Sequence, residues 1–334
     1  MIASSLPIRL ISVKRILTIY VIGYIDMHFT LRQLQVFVAF ARHESVSRAA
    51  ESLALSQSAT STSLAELERQ SGCQLFDRAG KRLWLNALGH QLLPQAVSLL
   101  DQANAIEDLL AGKTGYGSLK VGATLTIGNY LATLLIGIFM QHHPECRVKL
   151  HVQNTAHIVQ QVAQYELDLG LIEGDCQHPD IEVVPWVGDE LVVFCAPQHA
   201  LAGHAEVSLE QLSREAWILR EQGSGTRLTF EHAMRHHPAK LNIRLELEHT
   251  EAIKRAVESG LGIGCISRLA LRDAFRRGSL VALETPELDL SRQFYFIWHS
   301  LKYQTAAMRE FVEQCRALTA GVRRSDEIVL PTIA

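Results

Sequence analysis

The chain has 334 residues, 48% hydrophobic and 20% charged, with a formal net charge of -3. That length points to two or three domains, and the composition is that of an ordinary globular protein with apolar material for more than one core. The six cysteines are scattered without a CxxC pair and the 15 histidines are dispersed, with His142-His143 and His236-His237 adjacent rather than ligand-spaced, which argues against disulfide or zinc frameworks.

Residues 1–26 come first. Ile11–Ile25 is apolar but interrupted by Lys14 and Arg15, too short for a span of about 20 residues, and no small-residue cleavage site follows. The piece reads as a disordered extension or a start-site artefact, in a cytoplasmic protein with no membrane partner.

Thr30 is placed to cap a helix running to about His43, with Leu31, Leu34, Val36, Phe37, Ala39 and Phe40 at 3–4 spacing. Ser45 starts a short helix, Val46–Leu53, in which Ala49 and Ala50 permit close approach of another helix. A break at Ala54-Leu55-Ser56 leads into Gln57–Gln70. Two short helices across a tight turn allow the second to lie in a major groove. Its sequence, Ser56-Gln57-Ser58-Ala59-Thr60-Ser61-Thr62-Ser63, is rich in short hydrogen-bonding side chains. Gln pairs with adenine N6/N7, and Ser or Thr reaches base edges or phosphates. A capped surface helix or Ser-rich linker would share that composition.

Leu75-Phe76-Asp77-Arg78, Ala79-Gly80-Lys81-Arg82 and Leu83-Trp84-Leu85 read as strand, turn and strand. Either this is a wing whose bases touch phosphates or the minor groove, or it is a hairpin with solvated charges. From Met27 to Asn86, seven bases stand against five acids, and three of the bases are Arg78, Lys81 and Arg82. The electrostatic case for DNA is therefore local.

These pieces, Leu31-Arg32-Gln33-Leu34-Gln35-Val36-Phe37, Ala49-Ala50-Glu51-Ser52-Leu53, Leu55-Ser56-Gln57-Ser58-Ala59, Leu67-Glu68 and Leu75-Phe76-Asp77-Arg78, fall in order at the spacing of LysR-type transcription regulators. The chain resembles that family over about 290 residues. The resemblance implies DNA contacts by Ser47, Arg48, Ser56, Gln57, Ser58, Ser61, Thr62, Arg78, Lys81 and Arg82. The family usually carries Val or Leu where Thr60 stands, so this helix is expected to be slightly more polar.

A long helix follows over 87–111. Leu92, Ala96, Leu99, Ala103, Ile106 and Leu110 make a heptad-like seam, with Pro94 kinking its first turns. The seam and the resemblance together imply a homodimer or homotetramer on a near-palindromic double-stranded promoter site, with RNA polymerase as a candidate further partner.

Lys113–Gly117 reads as a hinge. Beyond it, strands at Ser118–Ala123, Arg147–Gln153, Asp168–Ile172, Leu191–Cys195, Trp217–Arg220 and Gly262–Ile266 alternate with helices, including one at Thr126–Gln141. Alternation predicts α/β units with mostly parallel sheet. Gln293–His299 and Thr305–Ala317 are expected to return to the first lobe. The expected fold is an N-terminal all-α winged helix-turn-helix (27–86) plus a dimerisation helix. A C-terminal α/β two-lobed, periplasmic-binding-protein-like domain (118–320) completes it, with lobe I at 118–187 and 287–320, lobe II at 188–286, and a tail at 321–334.

Two hydroxyl-rich loops, Ala123-Thr124-Leu125-Thr126 and Gly223-Ser224-Gly225-Thr226-Arg227, precede helices, whose N-termini favour anions. Plain capping would use the same residues. LysR-type regulators place their inducer cleft at such loops, so the expected effector set is Thr124, Thr126, Asn129, Glu173, Ser224, Gly225 and Thr226. The Thr-x-Thr pair is similar to the sulfate-binding loop of the family's cysteine-biosynthesis branch. Ile127-Gly128-Asn129-Tyr130, Ile172-Glu173-Gly174 and Trp217-Ile218-Leu219-Arg220-Glu221 look close to its YeiE subgroup, which makes a sulfur oxyanion one candidate effector. Glu173 would repel an anion unless protonated or balanced by Arg, and would suit a hydroxyl or ammonium group instead. No GxSxG, Walker A, GxGxxG or HExxH pattern occurs, so neither an enzyme nor a cofactor is expected. An exported ligand-binding protein would need a signal and no helix-turn-helix; an effector-independent repressor or architectural protein remains the alternative.

Overall fold

The computed structural model describes residues 28–79, 82–111, 116–235 and 241–331. The extension 1–26, Lys81 and hinge residues 113–115 lie outside the described residues. Contacts divide the chain into two units, Met1–His90 and Gln91–Ala334.

In the first unit, helix α1 (Leu31–His43) starts at a capping box. Thr30 Oγ1 accepts from Gln33 N, and the Gln33 side chain accepts from Thr30 N, satisfying two donors that helix geometry leaves open. Its stripe of Leu34, Val36, Phe37 and Phe40 is buried, each side chain stabilising the fold by about 1.5–3 kcal/mol. Helix α2 (Val46–Ser52) puts Ala49 and Ala50 in the same core. The turn at Ala54 (φ 52°) leads to helix α3 (Gln57–Ser71), capped by Ser56 Oγ accepting from Ala59 N at 3.1 Å. Strands β1 (Phe76–Ala79) and β2 (Arg82–Leu85) pair antiparallel. Phe76 meets Phe37 and Phe40 edge-on at 5.7 and 6.0 Å and so anchors the hairpin to α1.

Helix α4 (Ala87–Leu110) contains Pro94. Leu93, Ala96 and Val97 are buried, whereas Leu99, Ile106 and Leu110 are 38%, 58% and 81% exposed. The seam thus grows more exposed from Ala96 toward Leu110.

The second unit is two α/β lobes. In the first, β3 (Ser118–Ala123), β4 (Arg147–Val152) and β5 (Leu169–Glu173) run parallel. β6 (Ile181–Cys195) then crosses both lobes in one 15-residue strand. In the second lobe, β7 (Ala216–Arg220) is parallel to β8 (Asn242–Leu247) and β9 (Ile263–Ser267), with β10 (Val281–Leu283) antiparallel to β6. β11 (Ser291–His299) returns to lie antiparallel between β5 and β6. Among the described residues four pairings of this sheet are parallel and four antiparallel, so the sheet is mixed rather than mostly parallel. The reason is the double crossing: β6 leaves lobe I and β11 re-enters it, so each must oppose its neighbours.

Helices cover both faces of each lobe. Helix α5 (Thr133–His142) and α11 (Ala306–Leu318) share a core with β3 and β5, with Phe139 and Phe311 edge-on at 5.4 Å. α6 (Thr155–Ala163) seals the opposite face through Ile158 and Val162. In lobe II, α7 (Leu209–Arg214) and α8 (Gly225–Met234) lie on one face and α9 (Thr250–Glu258) and α10 (Arg268–Arg277) on the other. The helix expected at Thr126–Gln141 is broken: one turn, Leu125–Ile127, gives way to a π-helical stretch, Gly128–Ala132, before α5. Thr133 Oγ1 donates to Gly128 O, five residues back, at 2.9 Å; such bulges concentrate at functional sites.

Lys302 Nζ, 2% exposed, lies 2.7 Å from Asp101 of α4 and 2.8 Å from Asp168 before β5. The segment expected as a tail also folds back. Arg324 bridges to Gly188 of β6, and Ile328 is buried in the lobe I core.

Candidate functional site

In the first unit, Ser56, Gln57, Ser58, Ser61 and Thr62 are exposed on α3, while Thr60, Leu64 and Leu67 face inward. Thr60 is fully buried, and its hydroxyl donates to Ser56 O at 2.8 Å. Ser47 and Arg48 are exposed on α2. Arg78 and Arg82 lie in the paired strands, Arg78 opposite Leu83 and Ala79 opposite Arg82; their side chains fall outside the described residues, as does Lys81.

In the second unit, the strand ends of the two lobes bring together a buried polar cluster. Glu173, the last residue of β5, is 1% exposed. Its carboxylate accepts from the Thr124 hydroxyl and, at 3.3 Å, from Thr126 Oγ1. The sequence leaves these hydroxyls open to an incoming anion; in the folded chain a carboxylate of its own already engages them. Arg292 on β11, 2% exposed, has Nη1 3.9 Å from Glu173, donates from Nη1 to Thr226 Oγ1 at 3.0 Å, and donates from Nε to Asp189 on β6 at 2.6 Å. Two carboxylates thus share one guanidinium, and burial makes each pairing costly to break. Arg292 Nη2 has no partner among the described residues.

The remaining expected residues divide. Ser224 Oγ accepts from Arg227 N and caps α8, while Gly225 N donates to Thr155 Oγ1 at 3.1 Å. A Cβ on Gly225 would stand 2.1 Å from Glu173 O, so glycine there lets lobe II approach the end of β5. Gly225→Ala is expected to destabilise the second unit by about 1–3 kcal/mol through overpacking. Differential scanning calorimetry checks this, an unchanged midpoint counting against it. Ser224 and Gly225 line a pocket of about 270 Å³ with Thr155, Cys176 and His178. Asn129 is exposed and lines a separate groove of about 450 Å³ with Leu125, Gln153, His157, Glu221 and His249.

Two further interactions span the lobes. Asn154 Nδ2 donates to Glu221 at 3.1 Å, with Glu221 paired to the buried Arg220 at 2.7 Å. Tyr130, in the π-helical stretch, donates to Glu251 of α9, and Lys254 Nζ donates to the Tyr130 hydroxyl at 3.2 Å. Burial, then the Glu251 carboxylate, pushes the Tyr130 phenol well above its ordinary range, so it remains a donor. Sequence reasoning missed Arg292, Asp189 and Tyr130. The available signal was the pair Asp189-Glu190 inside the otherwise apolar run Trp186–Cys195. Among the described residues there is no His/Cys/Asp/Glu group able to hold a metal, and no helix long and apolar enough to cross a membrane.

Comparison with known proteins agrees with this architecture. Residues 31–90 match the bacterial regulatory helix-turn-helix protein family, lysR family, and residues 112–320 match the LysR substrate binding domain. The chain is 43% identical over 289 residues to the HTH-type transcriptional regulator YeiE of Escherichia coli K12, covering 86% of this chain and 98% of that one. It is similar to a full-length OxyR variant from Pseudomonas aeruginosa (TM-score 0.66, 25% identity, 87% of this chain and 94% of that one). It also resembles the regulatory domain of Synechocystis CcmR solved with 2-PG (TM-score 0.59, 30% identity, 62% and 99%). The two family models between them cover residues 31–90 and 112–320, and the chain belongs to the LysR family of bacterial transcription regulators.

Proposed function

We propose that the chain is a ligand-responsive regulator reading a near-palindromic double-stranded promoter site as a homodimer or homotetramer. The observation that carries DNA reading is the polar, exposed face of α3, opposite buried Thr60, Leu64 and Leu67. Gln57, Ser58, Ser61 and Thr62 meet base edges; Ser56, Ser47 and Arg48 meet the backbone, and Arg78, Lys81 and Arg82 of the wing meet phosphate or minor groove. The exposed Leu99, Ile106 and Leu110 of α4 supply the dimer seam. RNA polymerase is the partner through which such a regulator activates, in the cytoplasm at the nucleoid.

Gln57→Ala is expected to weaken specific binding by about 1–3 kcal/mol, roughly 5–150-fold, with non-specific binding unchanged. Competition gel shifts with specific and random duplexes measure it; equal losses on both would refute base reading.

The effector we assign to the cleft is a small oxyanion, with a sulfur oxyanion as the first candidate. The Thr124 and Thr126 hydroxyls already hold one oxyanion, the Glu173 carboxylate, and Arg292 Nη2 stands uncommitted among the described residues. The CcmR regulatory domain, 30% identical, holds 2-PG. Calorimetry with sulfite, sulfate and common carboxylates, with genome-wide footprinting in their presence and absence, tests this reading. One observation favours a second reading: Glu173 already satisfies both hydroxyls, so neither needs a ligand, as an effector-independent repressor or architectural protein requires. In that case no ligand shifts the thermal midpoint or the footprint.

A further inference from the structure

Residues beyond α11 leave lobe I and run alongside β6, one of the two strands that join the lobes. Arg324 forms a parallel bridge with Gly188, and a Cβ on Gly188 would stand 2.6 Å from Arg323 O, so the strand approaches this segment with no room for a side chain. Arg324 Nη1 pairs with Glu190 at 3.1 Å, and Arg268 of α10 meets the same carboxylate at 2.8 Å. Arg272 of α10 donates to Ile328 O at 3.4 Å, while the Ile328 side chain is buried in the lobe I core. The segment is thus fastened to both lobes, and a change in the angle between them must strain one fastening.

Ser325 lies where this segment passes β6. It is fully buried, and its hydroxyl donates to Asp189 Oδ1 at 2.5 Å, alongside Ser267 Oγ at 2.7 Å. The other oxygen, Oδ2, takes Arg292 Nε. With both oxygens engaged the carboxylate cannot rotate, and its fixed plane sets the plane of the guanidinium. That in turn aims Nη1 at Thr226 and Glu173.

We propose that Arg324–Ile328 is a working part of the effector cleft, with Ser325 the positioning residue that holds Asp189 and, through it, Arg292. The inference rests on the cleft reading above and adds to it a third component, distant in sequence from both hydroxyl loops. Ligand engagement at Arg292 shifts Asp189 and is felt at Ser325; tail docking at Ser325 presets Arg292 for the ligand.

The test is hydrogen–deuterium exchange of the full chain without any ligand, comparing wild type, Ser325→Ala and Val329→Ala. Val329 lies in the same segment, 86% exposed. Loss of one buried hydrogen bond, about 1 kcal/mol, corresponds to exchange roughly fivefold faster. That rise is expected in Ser325→Ala at Glu173–Gly174, Thr226 and Ser291–Gln293, where Gly174 N bonds Gln293 O, with the helix-turn-helix and lobe cores unchanged. Val329→Ala leaves all of these at the wild-type rate. Unchanged exchange at the cluster in Ser325→Ala, or a rise spread evenly over both lobes, overturns the proposal. No ligand enters this measurement, so its failure is distinct from failure of the effector reading, which the calorimetry decides.

Discussion

Arg292→Met is expected to lower the stability of the full chain by about 3–5 kcal/mol, because it strands the carboxylates of Asp189 and Glu173 in a buried site. For a unit of this size that corresponds to roughly 6–20 °C in the thermal midpoint. The same variant loses any ligand-induced shift in midpoint or footprint, since the guanidinium is the cation both lobes converge on. The double variant Arg292→Met/Asp189→Asn should recover part of the stability, as removal of the stranded charge leaves an amide that still accepts from Ser267 and Ser325. Scanning calorimetry of the two variants decides the matter. A single-variant midpoint within about 2 °C of wild type would show that the cluster is not held by this charge.

The second large effect is at Lys302, which fastens α4 to lobe I through Asp101 and Asp168. Lys302→Ala leaves two largely buried aspartates facing each other, at a cost of about 3 kcal/mol. Burial pulls the Lys302 amine down, but Asp168 and Asp101 outweigh it and hold its proton affinity above the ordinary lysine range. A raised folded-state value means that the bridge contributes fully below the unfolded lysine pKa, near 10.4, and is lost as pH rises through the folded value. Midpoints measured from pH 7 to 11 should therefore fall more steeply for wild type than for Lys302→Ala at the alkaline end. Parallel curves would show that the lysine titrates no differently in the folded chain.

The helix-turn-helix was legible in the sequence because its determinants are local. Thr30 with Gln33, and Ser56 with Ala59, are three residues apart, and the apolar stripe of α1 follows helical spacing. Ser118–Ala123 was readable as a strand to its ends for the same reason: its bounding residues and its alternation lie within the segment. Where Thr60 sits was not legible from its type: its bond to Ser56 O lets a hydroxyl take a core position.

The hydroxyl loops were visible, but what they hold was not. The sequence by itself determined the class of this protein: two short helices across a turn, a hairpin, an exposed apolar seam and α/β alternation, each encoded by neighbours within about a turn or a strand. Only the tertiary structure decided the cleft. Thr124 meets Glu173 across 49 positions, Arg292 meets Asp189 across 103, and Ser325 meets Asp189 across 136. The pairing of β3 with β5 makes the first meeting, that of β11 with β6 the second and the return of the C-terminal segment to β6 the third; the double crossing of β6 and β11 also turns an expected mostly parallel sheet into a mixed one. Periodicity reports which face a residue takes along its own element; it carries no information about which distant charge will stand opposite it once the strands are ordered.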